Sequence, residues 1–300
     1  MSRNAKKWLI AAASLVVVGA VVSIAAMALC HWDFSSLSTD QYETNTYEIS
    51  EKFSRIKLNT KTADLLFAAS DDNTCRVVCY EEPDMKHSVI VQDETLTVSV
   101  ADNRKWHEHI GFGFYSPKVT VYLPKSEYAS LVIEESTGDI TLPKNFTFGS
   151  MELSLSTGHV DSCASALGLM RIAVSTGDIC LHDLSAGELE LTVSTGGVEA
   201  QSVSCRNFDS VGTTGDVVLK NVLAEEMISV ERSTGSVYLE ECDGGELEIS
   251  TDTGDVIGSL KSSKVFIAHS DTGNVDVPET ISGGKCRITT DTGDIRMVVK

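Results

Sequence analysis

The chain has 300 residues, 42% hydrophobic and 22% charged, a balance that suits a folded protein and excludes a disordered one. Aromatic residues make up only 6%, so a core must be built mainly from aliphatic side chains. Of the 24 basic residues, Arg3, Lys6 and Lys7 fall in the first thirty positions, which hold no acid; the remainder sets 21 bases against 43 acids. A body that acidic repels phosphate backbones and anionic head groups, which argues against nucleic acid as a partner.

From Trp8 to Cys30 the chain carries no charge. About 20 apolar residues cross a bilayer as a helix, so residues 8–30 are predicted to be a transmembrane helix. The basic cluster before it keeps residues 1–7 as a cytoplasmic stub and sends everything after Cys30 outside. This gives a single-pass cell-membrane protein with an extracellular C-terminal domain. A cleaved signal peptide competes, since Ala26-Met27-Ala28 could serve as a cleavage site; the apolar run is longer than the about 7–15 residues of a signal core. Met27-Ala28-Leu29-Cys30 is a poor lipid-attachment sequence. Residues 31–45 are polar and without periodicity, and read as a juxtamembrane linker.

Residues 46–300 are predicted to be an extracellular all-β domain. In its irregular first part, 46–130, the segments 56–58, 75–79, 96–100 and 119–123 read as strands, and Thr62-Ala63-Asp64 as a degenerate corner. Ala63 precedes Gly138 by close to four repeat lengths. The segment around Trp106, Phe112, Phe114 and Tyr115 is the most aromatic stretch of this domain. It suits a plug for an open solenoid end, or a docking surface for a partner or the membrane. Within it His107-Glu108-His109 has too few ligands for a defined zinc site.

From residue 131 a Thr-Gly pair recurs at intervals of 19 or 20, with its glycine at Gly138, Gly158, Gly177, Gly196, Gly215, Gly235, Gly254, Gly273 and Gly293. Two residues after each glycine stands Val or Ile, from Ile140 to Ile295. Seven before it stands an apolar residue, from Leu131 to Cys286, and five before it only Ser210 is polar. Apolar positions alternating with Glu152, Ser154 and Ser156 mark strands with one buried face. Each unit thus holds two short strands separated by corners, one at Thr-Gly and the other often at glycines such as Gly168 and Gly187. A unit so small buries its face only by stacking on its neighbours, which predicts a parallel, right-handed β-solenoid of about 19-residue two-strand coils. Roughly thirteen coils would make a rod ~60 Å long.

The repeated Ser-Thr-Gly-Asp-Ile/Val, as at Ser136–Ile140 and Ser175–Ile179, resembles the bacterial "putative adhesin" β-strand repeat family, as does Pro117–Pro124 leading into the first full repeat. The resemblance spans about residues 47–300. It implies a cell-envelope protein, often membrane-anchored, with some relatives linked to envelope stress, and it brings no catalytic residue.

Directly after the corner glycines come Asp139, His159, Asp178, Gly197, Asp216, Ser236, Asp255, Asn274 and Asp294, with extra acids at Asp252, Asp271 and Asp291. Stacked carboxylates could bridge calcium, with Asp252, Asp255, Asp271, Asp291 and Asp294 as candidate ligands. Gly197 and Ser236 interrupt the column and favour the simpler role of capping the turn. Three residues after the glycine, Val218, Tyr238 and Ile257 form an outward apolar ladder, a candidate partner contact. The eight cysteines form no disulfide framework: Cys163 and Cys180 sit two positions out of register, about 8 Å apart and beyond bridging distance, and Cys242 and Cys286 fall at core positions. The last strand, Ile295–Val299, has no cap, which predicts an unpaired edge and end-to-end self-association.

Together these features predict a non-enzymatic surface protein without a cofactor, an adhesin or interaction scaffold for a protein or envelope polymer. A signalling component acting through a membrane partner is one alternative. A polysaccharide-acting β-helix enzyme is another, disfavoured because long loops are missing.

Overall fold

The computed structural model describes residues 3–29, 42–100 and 117–300. Helix α1, Arg3–Leu29, contains a stretch from Lys6 to Leu29 long and apolar enough to cross a membrane. The expected juxtamembrane linker lies largely outside the described residues. Among the described residues, all other regular structure is one continuous sheet of 22 strands wound into a solenoid, the all-β parallel architecture that the repeats predict.

The regular coils stack in strict register. Strands β8 (Glu127–Thr137), β10 (Thr147–Thr157), β12 (Ser165–Thr176) and β14 (Ser185–Thr195) run parallel, with Leu131, Met151, Met170 and Leu189 directly over one another. Past the Thr-Gly corner, β9 (Ile140–Leu142), β11 (Val160–Ser162) and β13 (Ile179–His182) continue the same stack through Ile140, Val160 and Ile179. In β15 (Val198–Thr214), β16 (Val217–Thr234) and β17 (Val237–Thr253) the second corner no longer interrupts the strand. Each of these three strands therefore serves two sides of the rod, and β18 (Val256–Leu260) closes the series. Val198, Val217, Val237 and Val256 are all at most 1% exposed, so the β-branched column forms the spine of the core.

The two ends depart from chain order. At the first end, β2 (Arg55–Thr62) and β3 (Asp64–Ala69) stack directly on β8 and β9. Ala63 therefore lies one coil from Gly138, donating its N–H to the Thr137 carbonyl at 3.0 Å, and not four. The residues between build the cap. Strands β6 (Thr95–Val100) and β7 (Lys118–Leu123) form a parallel coil on the outer side of β2 and β3. Beyond it the pairing is antiparallel: β5 (His87–Gln92) folds back on β6, while β4 (Cys75–Glu81) pairs with β7 and β1 (Glu43–Ile49) with β4. The irregular region is thus only partly of the repeat design, and the rod holds fewer coils than the thirteen expected. The β5–β6 turn explains the reversal: Asp93 and Glu94 have φ of 49° and 56°, the conformation of a tight two-residue hairpin.

At the other end the final coil inserts between two earlier ones. Strand β21 (Gly284–Thr292) pairs with β17 on one side and β19 (Lys264–Thr272) on the other. Strand β22 (Ile295–Val299) likewise lies between β18 and β20 (Val275–Asp276). The strand expected to be an open edge is therefore internal, and the edge belongs to β19 and β20. Glycine permits the insertion, because a Cβ on Gly284 would stand 1.7 Å from the Gly245 carbonyl oxygen. The buried Lys264 ammonium then reaches past this strand to the Asp243 carboxylate at 2.7 Å and binds the outer coil to the body.

Candidate functional site

The corner column is the most regular feature of the surface. The nine Thr-Gly glycines have φ between 130° and 157°, outside the usual range of L-residues. A Cβ at any of them would lie 1.9–2.1 Å from the carbonyl oxygen of the neighbouring corner, so the backbones touch.

The residue after each glycine bonds across coils. The carboxylate of Asp139 accepts the His159 N–H at 2.8 Å, His159 Nδ1 accepts from Asp178 N at 3.1 Å, and Asp178 accepts from Gly197 N at 2.7 Å. Beyond Gly197, which has no side chain to offer, the chain of bonds resumes from Asp216 to Ser236 N and from Ser236 to Asp255 N. It ends from Asp255 to Asp294 N and from Asp294 to Asn274 N, each 2.8 Å, following the inserted order of the last coils. These acids cap the next coil's amide, the role predicted for turn residues and here exercised between coils. Among the calcium candidates, Asp255 and Asp294 are engaged in this way. Asp252, Asp291 and Asp271 stand exposed on successive coils in that spatial order, and Asp271 bonds His269 at 2.9 Å. The one group of metal-ligating side chains close enough to share an ion among the described residues is elsewhere, at Cys79, Glu81 and His87.

Val218, Tyr238 and Ile257 are brought together as direct partners on adjacent coils. Tyr238 is 38% exposed, and the ladder borders a shallow depression of about 340 Å³ that also includes Val298. Glu199, bonded to Lys220 at 2.8 Å, bounds it on one side and Arg296 on the other. The surface is thus an apolar strip between charged ends. Another outward column, on β10, β12 and β14, carries ion pairs, with Arg171 lying between Glu190 at 2.8 Å and Glu152 at 3.9 Å.

A second concavity, about 720 Å³, follows the other corner over four coils, from Leu167 past Gly187 to Leu223, and contains the Glu188–Arg206 ion pair. The glycines there signal a corner in the sequence; the register shifts beside the groove at Ala166/Leu169 and at Cys205/Asn207, the latter matching the 20-residue interval from Gly215 to Gly235. The aromatic group Trp106, Phe112, Phe114 and Tyr115, with His107-Glu108-His109, lies outside the described residues.

Two buried charges escape the pattern reading. Arg232 is 2% exposed and donates to the Ser210 carbonyl, the Ser210 hydroxyl and the Glu231 carbonyl at 2.8–3.1 Å, which explains the polar exception in the apolar column. Burial lowers its pKa to about 10. Glu135 accepts a hydrogen bond from the Thr60 hydroxyl; burial, only partly offset by this and backbone N–H groups, pushes its carboxyl up to about 7.

A family model described as Toastrack DUF4097 matches residues 53–300. Among solved structures, a "putative adhesin" of Bacteroides fragilis NCTC 9343 is 16% identical, with a TM-score of 0.50 over 87% of this chain and 99% of that one. Another from Parabacteroides distasonis ATCC 8503 is 12% identical, with a TM-score of 0.51 over 87% and 98%. At such identity these likenesses speak for the fold alone. No curated protein matches the sequence.

Proposed function

We propose that this chain, which belongs to the Toastrack DUF4097 family, is a non-enzymatic envelope scaffold that presents repeated side-chain columns to a protein or envelope polymer. Helix α1 anchors it in the membrane, with its N-terminus in the cytoplasm and the rod outside. The observation that carries this reading is the Val218–Tyr238–Ile257 strip, an apolar contact surface set at coil spacing on a rigid rod and bounded by charged residues. Rigid strands hold the strip in its bound geometry before any partner arrives, which limits the ordering cost of association.

Photo-cross-linking in intact cells tests the reading. A photoreactive residue at position 238 is expected to give a discrete adduct that the same residue at position 248, in the ion-paired column, does not. Identical adduct patterns from both positions would remove the strip as a contact surface. An inner-membrane protein captured from position 238 would favour signalling through a membrane partner over adhesion.

A further inference from the structure

We propose that Cys79, Glu81 and His87 form a buried site for one divalent transition-metal ion of the zinc class. The three side chains converge in the antiparallel cap. Cys79 and Glu81 lie two residues apart on one face of β4, and His87 opens β5. Cys79 and Glu81 are 0% exposed and His87 is 3% exposed. One ligand atom from each lies within 4.8 Å of the other two. Around a zinc ion, with bonds of about 2.0–2.3 Å, such atoms stand about 3.3–3.8 Å apart, so the wider separations would close by about 1 Å and the Glu81–His87 contact, now 2.6 Å, would open by about as much.

The polar contacts leave the cluster unfinished. Glu81 Oε2 lies 2.6 Å from His87 Nδ1 and accepts the His87 backbone N–H at 2.6 Å. The other imidazole nitrogen, Nε2, is enclosed and has no partner among the described residues. Whichever tautomer the ring adopts, Nε2 carries the cost of a buried polar atom without a partner, so the cluster is not satisfied as a plain Glu–His pair. Outer contacts already orient the ligands: Asn45 Nδ2 donates to Glu81 Oε1 at 2.7 Å, and the Tyr47 hydroxyl donates to the His87 carbonyl at 3.0 Å. Supporting bonds of this kind are characteristic of metal sites. The nearby Lys86 ammonium does not compete, being exposed and paired with Glu43 at 2.6 Å.

Charge favours the same occupant. Thiolate, carboxylate and neutral imidazole together balance a divalent cation, so the loaded site is neutral where a net charge would be expensive. The competing explanation is a buried Glu–His pair that merely closes the cap.

The test uses the full-length protein in detergent, stripped with chelator and titrated with Zn²⁺ or Co²⁺. One equivalent should bind tightly, and Co²⁺ should show thiolate-to-metal charge-transfer absorption. Cys79→Ala should abolish that absorption and weaken uptake about 100-fold, while Cys75→Ala, which removes another buried thiol of the same strand, should preserve both. Should Cys79→Ala fail to fold, Glu81→Gln, which retains a carbonyl acceptor for Asn45, should weaken uptake at least about 10-fold. Cobalt bound without thiolate absorption, or equal affinity in the wild type and the variants, would mean that surface carboxylates alone take up the metal, and would overturn the proposal.

Discussion

Substituting Gly177 by alanine tests whether the coils touch through their backbones. Its φ is 137°, and the added Cβ would lie 1.9 Å from the Gly158 carbonyl oxygen. Neither obstacle can rotate aside, since both coils are held by the hydrogen bonds Gly158 N to Thr176 O at 3.0 Å and Gly177 N to Thr195 O at 2.9 Å. Restoring an ordinary contact means retreating by more than about 1 Å, which sacrifices roughly two hydrogen bonds at about 1–1.5 kcal/mol each. The strained φ adds about 1–3 kcal/mol, for a total of about 3–6 kcal/mol. Gly197, twenty residues on, provides the control: its Cβ would meet nothing closer than 3.4 Å and its φ is not positive, so Gly197→Ala should cost less than about 0.5 kcal/mol. Urea unfolding followed by circular dichroism measures both, and hydrogen exchange shows whether lost protection is centred on the coils around Gly158 and Gly177. A cost under about 1 kcal/mol for Gly177→Ala, or no difference between the two variants, would refute the close-packed corner.

Three other outcomes follow from the buried and edge residues. Because the folded Glu135 carboxyl titrates near 7 against an ordinary 4.5, its contribution is fully present below about pH 4.5 and is lost as pH rises toward 7. Glu135→Gln should therefore flatten the decline in stability over that window, by up to about 3 kcal/mol; parallel pH profiles for the two proteins would contradict this. Arg232→Met combined with Ser210→Val restores an apolar column and should raise stability by about 1–3 kcal/mol, whereas Arg232→Met alone, which strands the Ser210 hydroxyl, should gain less in the same urea titration. At the open end, Ile267 and Val275 are 45% and 44% exposed beside unpaired strand backbone, so the solubilised chain should self-associate at high salt; Ile267→Lys should reduce that association in sedimentation velocity runs, and a monomeric wild type under those conditions would exclude it.

The solenoid is legible in the sequence because its period is imposed by contact: a residue with a side chain does not fit where Gly177 meets Gly158, so the glycine must recur at each turn. The buried valines follow for the same reason, since each coil repeats one cross-section. Coil order leaves no comparable mark. The interval from Gly273 to Gly293 is that of any other pair, although Gly293 stacks on Gly254 and Gly273 on Gly293. The period records the shape of a coil and is silent on which neighbour it meets. For the same reason the separation of Ala63 from Gly138 suggested intervening coils where there is direct contact. Of the candidate surfaces, the apolar strip follows from periodicity alone. The Cys79–Glu81–His87 cluster does not, because it depends on antiparallel pairing that no repeat announces, and the burial of Glu135 and Arg232 leaves no clear mark either, since their column holds Leu155, Val174 and Val193 in some coils but Gly212, Thr251 and Thr290 in others.

Threading the last strands between earlier ones changes how such a rod can come apart. A linear stack frays from its termini, shedding one unit at a time. Here β22 lies inside the stack and the adjoining Lys300 backbone N–H donates to the Leu260 carbonyl, so β21 and β22 cannot peel before β19 and β20 outside them. During synthesis the outermost coil, β19 and β20, has no seat until β21 and β22 emerge and fill the gap beneath it. Loss of β21 and β22 would therefore leave the outer coil of β19 and β20 without support, which makes the inserted coil a keystone for that end of the rod.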